Sequence, residues 1–285
     1  KVAIDGKTAA DKIDGYEYGY WIRGLAAETS YDIEVQAYDS DNELIASAET
    51  TETTAAAPTG PVVKFKDSTL RDVIKEQLGL NRDVRASDME RLEDLFLADM
   101  DIKELSGLEY ATNLMYVYLI NNESELDLSP LSGLPIFDLT IENTKLKGYE
   151  KIAEMESLVS LSITNNQLKD ISFLKDMEQL DYLDLSHNKI HDMTDLSNLN
   201  ELEVLVLLDN QIEHIGDAGL EGLMFLEISS NPLQDLTGLD QFHSLEVLTL
   251  ERTELTTIDE LLNLEDLSLV SLYGISKLDL SSGSD

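Results

Sequence analysis

Residues 180–201 read LDYLDLSHNKIHDMTDLSNLNE, and the spacing of leucines in this stretch decides the fold. Leu183 and Leu185 are two apart, the period of a β-strand, so both side chains leave the chain on one side. Leu180 closes the same apolar layer from the preceding turn, and Tyr182, Asp184 and Ser186 are expected to face solvent. Ile190, Met193, Leu196 and Leu199 then return at spacing three, which suits a short 3₁₀-like path. Asn188 stands where the strand ends and the chain turns. Its amide carries two donors and an acceptor, enough to bridge backbone groups of successive turns.

The stretch recurs. The pattern LxxLxLxxN/TxL opens at Leu92, Leu114, Ile136, Leu158, Leu180, Leu202, Leu223, Leu245 and Leu267, every step being 22 residues except one of 21. One unit cannot bury its own leucines, whereas stacked units share a continuous core. The ninth position forms an expected structural ladder of Asn122, Thr144, Asn166, Asn188, Asn210, Asn231 and Thr253, with Met100 and Ile275 breaking it at the two ends. Two irregularities mark local accommodation. The second repeat carries one extra residue in NNESELDLSPL, made good at Leu134-Pro135-Ile136, and the sixth is one residue short around Gly216-Asp217-Ala218-Gly219. The expected fold class is an α/β solenoid, a leucine-rich-repeat horseshoe with a parallel β-sheet on its concave face.

Upstream, KFKDSTLRDVIKEQLGL places Leu70, Val73, Ile74 and Leu78 at helical spacing, with Asp67 or Ser68 as N-cap and Gly79 as C-cap. A second short helix in SDMERLEDL, from Ser87, leads into the first strand. The pair is expected to cover the leucines of the first repeat. Residues 50–62, TTETTAAAPTGPV, read as a linker. Before them Tyr31 to Ala37 alternate apolar and polar as a half-wet strand. Val2 and Ile4, followed by Asp5-Gly6, read as another strand and Tyr20 to Arg23 as a third. The resulting division is a β module at 1–55, a linker at 56–62, a helical N-terminal cap at 63–91 and about nine repeats at 92–285, the last incomplete.

Composition narrows the function. Asp and Glu number 57 against 20 Lys and Arg, giving a net charge of −37. Such a surface repels nucleic-acid phosphates and anionic lipid headgroups and favours basic partner surfaces. With 42% hydrophobic residues a real core is available, so disorder is not expected despite the charge. There is no cysteine, hence no disulfide, thiolate nucleophile or Cys-based zinc site. No apolar run approaches the roughly 18 residues of a membrane span, so no direct membrane insertion is expected. Neither signal peptide nor sorting tail is visible, and the chain reads as an internal piece of something longer.

Two resemblances follow from these residues. LAAETSY, through Leu25, Thr29 and Tyr31, is similar to the tyrosine-corner pattern of fibronectin type III domains, with Ala27 in place of the usual Pro. YDIEVQAYDSDNE then looks like that family's strand F and F–G turn, and KVAIDGK like its strand C. The module therefore reads as partial, the alternative being a small β-ribbon. From about Val62 onward the chain resembles the internalin-like leucine-rich-repeat proteins of Gram-positive bacteria, through the period, the helical cap, and phrases such as IKELSGLEYATNL and LDLSPLSGL. That resemblance implies an exported, bacterial cell-surface or extracellular protein, adhesive in type, holding a protein partner in its concave face.

Nine strands about 4.8 Å apart give a face roughly 38 Å long, near the ~800 Å² per partner of a standard interface. Its outward positions are legible. Phe96, Tyr116, Tyr118 and Ile120 form one apolar cluster, and Tyr182, Val204, Val206, Leu208, Phe225 and Val247 a second. Around them stand Asp94, Asp138, Glu142, Asp184, Glu227 and Glu251. Aromatics forced into solvent beside a charged rim have the composition of protein-binding hot spots. β-formers on a strand are the plain alternative, and aromatic-plus-acidic strips suit carbohydrate as well.

Nothing supports catalysis, and no catalytic residue, metal or cofactor is assigned. His187 and His191 lie four apart but on a turn, where helical ligand spacing has no meaning. Asp192 and His214 share the thirteenth position of adjacent repeats and are expected to meet on the convex side. Asp39, Asp41, Asn42 and Glu43 offer calcium-type oxygens, though a β-turn is the preferred reading.

Overall fold

The computed structural model describes residues 1–10, 25–54 and 57–275, which separate into two compact units, Lys1–Thr59 and Gly60–Asp285. The first unit is an antiparallel sheet in the order β2-β1-β3-β4, from β1 (Val2–Ile4), β2 (Lys7–Ala10), β3 (Ser30–Tyr38) and β4 (Leu44–Thr53). β4 pairs through Thr53 with Ser30, so residues 50–53 belong to the sheet and not to the linker expected there. Their Thr and Glu side chains suit a solvated edge strand as well as a linker, which is why composition misread them. The Tyr31 hydroxyl accepts a hydrogen bond from the Ala26 N–H at 2.8 Å. Between β3 and β4 the Asp39 carboxylate accepts from the Asp41 and Glu43 N–H groups, at 2.9 and 2.8 Å, and Asn42 takes φ +66°. The acidic run is thus organised as a turn. The strand expected at Tyr20–Arg23 lies outside the described residues.

The second unit opens with α1 (Ser68–Gln77) and the single turn α2 (Ala86–Met89). Asp67 caps α1 by accepting from the Leu70 N–H at 3.0 Å, and its other oxygen accepts from the Lys103 N–H at 2.8 Å. Cap and first repeat are joined through one buried side chain. At the far end Gly79 adopts φ +66°, and the Leu80 and Gly79 N–H groups return to the Lys75 and Glu76 carbonyls, a Schellman closure that Gly79 makes strain-free. α2 stops sooner than SDMERLEDL suggested. Arg91 and Leu92 N–H groups bond three residues back, to Asp88 and Met89, and the chain already enters the first strand at Asp94. Asp88 is held bidentately by Arg82 at 2.7 Å and accepts the Arg85 N–H at 2.8 Å. Burial opposes its charge, but the Arg82 guanidinium and that N–H outweigh it and lower the Asp88 pKa.

Each repeat then contributes one strand to a nine-stranded parallel sheet in strict sequence order: β5 (Asp94–Ala98), β6 (Tyr116–Ile120), β7 (Asp138–Glu142), β8 (Ser160–Thr164), β9 (Tyr182–Asp184), β10 (Val204–Val206), β11 (Phe225–Glu227), β12 (Val247–Thr249) and β13 (Leu269–Ser271). The inward leucines of the consensus are buried from Leu92 through Leu250. Short 3₁₀ turns at Leu108–Tyr110, Ser129–Leu131, Ser172–Leu174, Thr194–Leu196, Leu239–Gln241 and Asp259–Asn263 carry the return path. Ile190, Met193, Leu196 and Leu199 are buried along it, as their spacing of three implied.

The ninth-position ladder is built as its amide chemistry required. Asn188 Oδ1 accepts from the Leu168 N–H at 2.9 Å, and its Nδ2 donates to the Ile163 and Leu185 carbonyls at 2.6 and 2.9 Å. Asn210 and Asn231 repeat this with the Ile190 and Ile212 N–H groups, both at 3.0 Å. Thr144 takes the Asn122 N–H at 3.0 Å, while Thr253 donates to its own repeat's Leu250 carbonyl at 2.9 Å. At the first repeat, which no repeat precedes, Asp67 of the cap accepts the Lys103 N–H.

Strand length changes midway. β5–β8 run five residues and β9–β13 three. In β9 the Asp184 carboxylate accepts from both the N–H and the hydroxyl of Ser186, at 2.9 and 2.6 Å, and in β11 Glu227 accepts the Ser229 N–H at 2.7 Å. In these two strands a local side-chain acceptor takes the N–H just past the strand. It also draws Ser186 inward to 5% exposure, against the expectation that this residue faces solvent.

Candidate functional site

Parallel register aligns equivalent positions into rows across the outward face of the sheet. One row runs Asp94, Tyr116, Asp138, Ser160, Tyr182, Val204, Phe225, Val247 and Leu269. The next runs Phe96, Tyr118, Thr140, Ser162, Asp184, Val206, Glu227, Thr249 and Ser271. Within each of the two apolar clusters read from the sequence the residues are neighbours, and β7 and β8, which carry hydroxyl side chains, separate the two clusters.

They differ in character. In the first cluster Phe96 is 57% exposed and Tyr116 38%, with Tyr118 and Ile120 half-buried. Phe96 and Tyr118 lie 6.0 Å apart between ring centroids, within the range of favourable aromatic pairs. Phe137, 44% exposed, meets Tyr116 edge-on at 6.3 Å, and Met115 is exposed beside it. Sequence reasoning missed Met115 and Phe137 because they precede their strands by one residue, where alternation assigns no face. Asp94 and Asp138 flank the cluster, and the Gln77 amide of α1 donates to the Asp94 carbonyl at 2.7 Å. Burial, with Asp138, Tyr116 and Asp94 nearby, raises the Tyr118 phenol above its ordinary value.

The second cluster is flatter. Tyr182, Val204, Val206, Leu208, Phe225 and Val247 are all half-buried, each shielded by equivalent side chains on both neighbouring strands. Burial also raises the Tyr182 phenol, and the Asp184 and Asp138 carboxylates add to it. Glu142, Asp184, Glu227 and Glu251 are half-buried around the two clusters, with Asp184 and Glu227 turned partly to strand-end N–H groups.

Elsewhere one expectation is corrected. His214 meets Asp235 of the following repeat at 3.2 Å, not Asp192, whose carboxylate accepts the Thr194 N–H at 2.8 Å. Asp235 accepts its own Thr237 N–H in the same way and still takes His214, so the histidine turns towards the following repeat. His187 likewise pairs with Asp209 at 2.9 Å. Among the described residues no group of three or more His, Cys, Asp or Glu side chains has metal-holding geometry.

A feature absent from the sequence reading lies just past the strand ends of the first four repeats. A groove of about 640 Å³ opens there, between a row of Asp99, Asn121, Asn143 and Asn165 and a row including Asp101, Glu123, Lys145 and Gln167.

The inward leucines, the ladder and the sheet define a leucine-rich-repeat solenoid. Residues 65–188 match the family model of the leucine-rich-repeat domain of the endo-β-N-acetylglucosaminidase EndoS. The structure is similar to internalin C2 of Listeria monocytogenes, at 26% identity and TM-score 0.69 over 76% of this chain and all of that one. Internalin F of the same organism is 26% identical with a TM-score of 0.61, over 73% and 69% of the two chains. A leucine-rich-repeat protein of Leptospira interrogans shares the fold, at 22% identity and TM-score 0.55 over 64% and 49%. No curated protein matches at the level of sequence. No described helix is long and apolar enough to cross a membrane.

Proposed function

We propose that the chain is a non-enzymatic recognition module that holds a protein partner on the outward, concave face of its parallel sheet. The observation that carries this reading is the Phe96–Tyr116–Tyr118–Phe137 cluster, three of its four rings exposed, set between Asp94 and Asp138. Four rings on a rigid sheet cannot withdraw into the leucine core, which is already filled. They remain available to bury against a partner, and tilted and edge-on packing leaves ring faces open to an Arg or Lys side chain. The flanking carboxylates and the net charge of −37 favour a basic partner surface. Likeness to internalins supports an exported or cell-surface setting and a host or cell-envelope protein as partner.

The N-terminal sheet supports the fibronectin type III-like reading of that unit. Sandwiches of this class keep strands C, F and G in one sheet and tie a tyrosine hydroxyl to backbone just upstream. Here β1 lies beside β3, β3 beside β4, and Tyr31 makes that bond to Ala26. In this reading the module is a partial domain ahead of the repeats.

The test is a partner recovered from host or envelope extracts with the wild-type chain, followed by amide exchange with and without it. Protection concentrated in β5–β8 is expected; protection confined to the 3₁₀ return path is the result that refutes the assignment.

A further inference from the structure

The groove past the strand ends is a distinct feature from the sheet face. Its floor is the inner ladder, where Asn122 and Thr144 are buried with their polar groups committed to backbone. One wall is the row Asp99, Asn121, Asn143 and Asn165, each in the left-handed backbone region with φ between +44° and +58°. That conformation turns these side chains sideways along the solenoid. They join head to tail: Asn143 Nδ2 donates to Asn121 Oδ1 at 3.0 Å, and Asn121 Nδ2 to Asp99 Oδ1 at 2.9 Å. The Asn165 amide and Asn143 Oδ1 have no side-chain hydrogen bond among the described residues.

Asparagine tolerates the left-handed region, which offers a purely structural explanation for the row. The later repeats argue against it. The same position, with the same φ near +56°, is held there by His187, Asp209, Ser230 and Arg252. The backbone thus accepts many residues, and the run of three amides that continues from Asp99 calls for another cause. We propose that this groove binds a neutral, hydroxyl-rich glycan, laid along the solenoid across repeats one to four. Planar amides and carboxylates offer paired donors and acceptors to vicinal hydroxyls, and head-to-tail bonding polarises each amide for the next contact. The row repeats every ~4.8 Å, comparable to the advance per sugar ring of an extended glycan. Asp99, Asp101 and Glu123 outnumber Lys145 on the walls and so disfavour acidic sugars. The inference is independent of the protein-partner reading and can stand or fall without it.

The experiment is a titration of the ¹⁵N-labelled chain, following side-chain amide signals of Asn121, Asn143 and Asn165 by NMR. The probes are tetrasaccharides of β-1,4-linked glucose, β-1,4-linked N-acetylglucosamine and α-1,6-linked mannose, with tetragalacturonate as the acidic counterpart. At least one neutral probe should shift these signals saturably. Asn143→Gly keeps the left-handed turn accessible and should weaken that binding about tenfold, the worth of a lost hydrogen bond or two, with an unchanged melting temperature. Lys169→Ala, on the return side, should match wild type. The proposal is overturned if no neutral probe moves the amide signals, if tetragalacturonate binds as well, or if Asn143→Gly binds like wild type.

Discussion

Repeats one to four and repeats five to nine share one interior and differ outside. Through Leu250 both halves bury the same leucine positions to near zero exposure and run the same ladder, whereas Leu267 and Leu272 of the ninth repeat are only partly buried. The first half has five-residue strands, exposed rings and an amide-lined rim. The second has three-residue strands, half-buried aliphatics and a mixed rim. The inward pattern therefore specifies the fold, and the outward pattern is free to vary with use. That freedom is what makes the aromatic cluster and the groove informative, since neither is demanded by the solenoid.

The largest effects should be equal in both halves. Leu161→Ala in β8 and Leu205→Ala in β10 each empty a site packed by adjacent repeats and should cost roughly 2–5 kcal/mol in denaturant melts. A much smaller loss in one half would mean that its core is looser than its burial implies. Next comes the cap. Asp88→Asn removes the charge that Arg82 and the Arg85 N–H hold and should cost about 2–4 kcal/mol, the range for breaking a buried pair moderated by the partly exposed Arg82. Asp67 and Asp88 both have folded pKa values below the ordinary carboxylate value: burial opposes this in each, and N–H donors or Arg82 prevail. Their stabilisation is thus complete above about pH 4–5 and drains as the pH falls below about 4. Amide exchange near α1 should quicken there before the central repeats open.

Smaller still, and sharper, is a contrast of two amides. Asn188→Ala strands the Leu168 N–H and the Ile163 carbonyl and should cost roughly 1–3 kcal/mol. Asn165→Gly, on the rim, should stay within about 0.5 kcal/mol. Comparable losses would erase the distinction between ladder and groove.

Much of this was legible in advance. The 22-residue period fixed which leucines face inward, the ladder and the 3₁₀ return, because stacking leaves those residues no choice. The outward rows followed from strand alternation alone. The rest depended on local competition that alternation does not encode. Asp184 captures Ser186 and draws it inward; His214 meets Asp235 and not Asp192; Phe137 joins the aromatic cluster from just outside a strand. The rim groove was missed because its amides sit at turn positions, where Asn is ordinarily explained by conformation.

The most direct test of the central claim is the affinity of a recovered partner for single variants of the sheet face. Phe96→Ala and Tyr118→Ala should leave the melting temperature nearly unchanged and weaken binding by about 2 kcal/mol, roughly thirtyfold, while Lys169→Ala on the return side changes nothing. Full affinity in both aromatic variants, with loss in Lys169→Ala, would contradict the account.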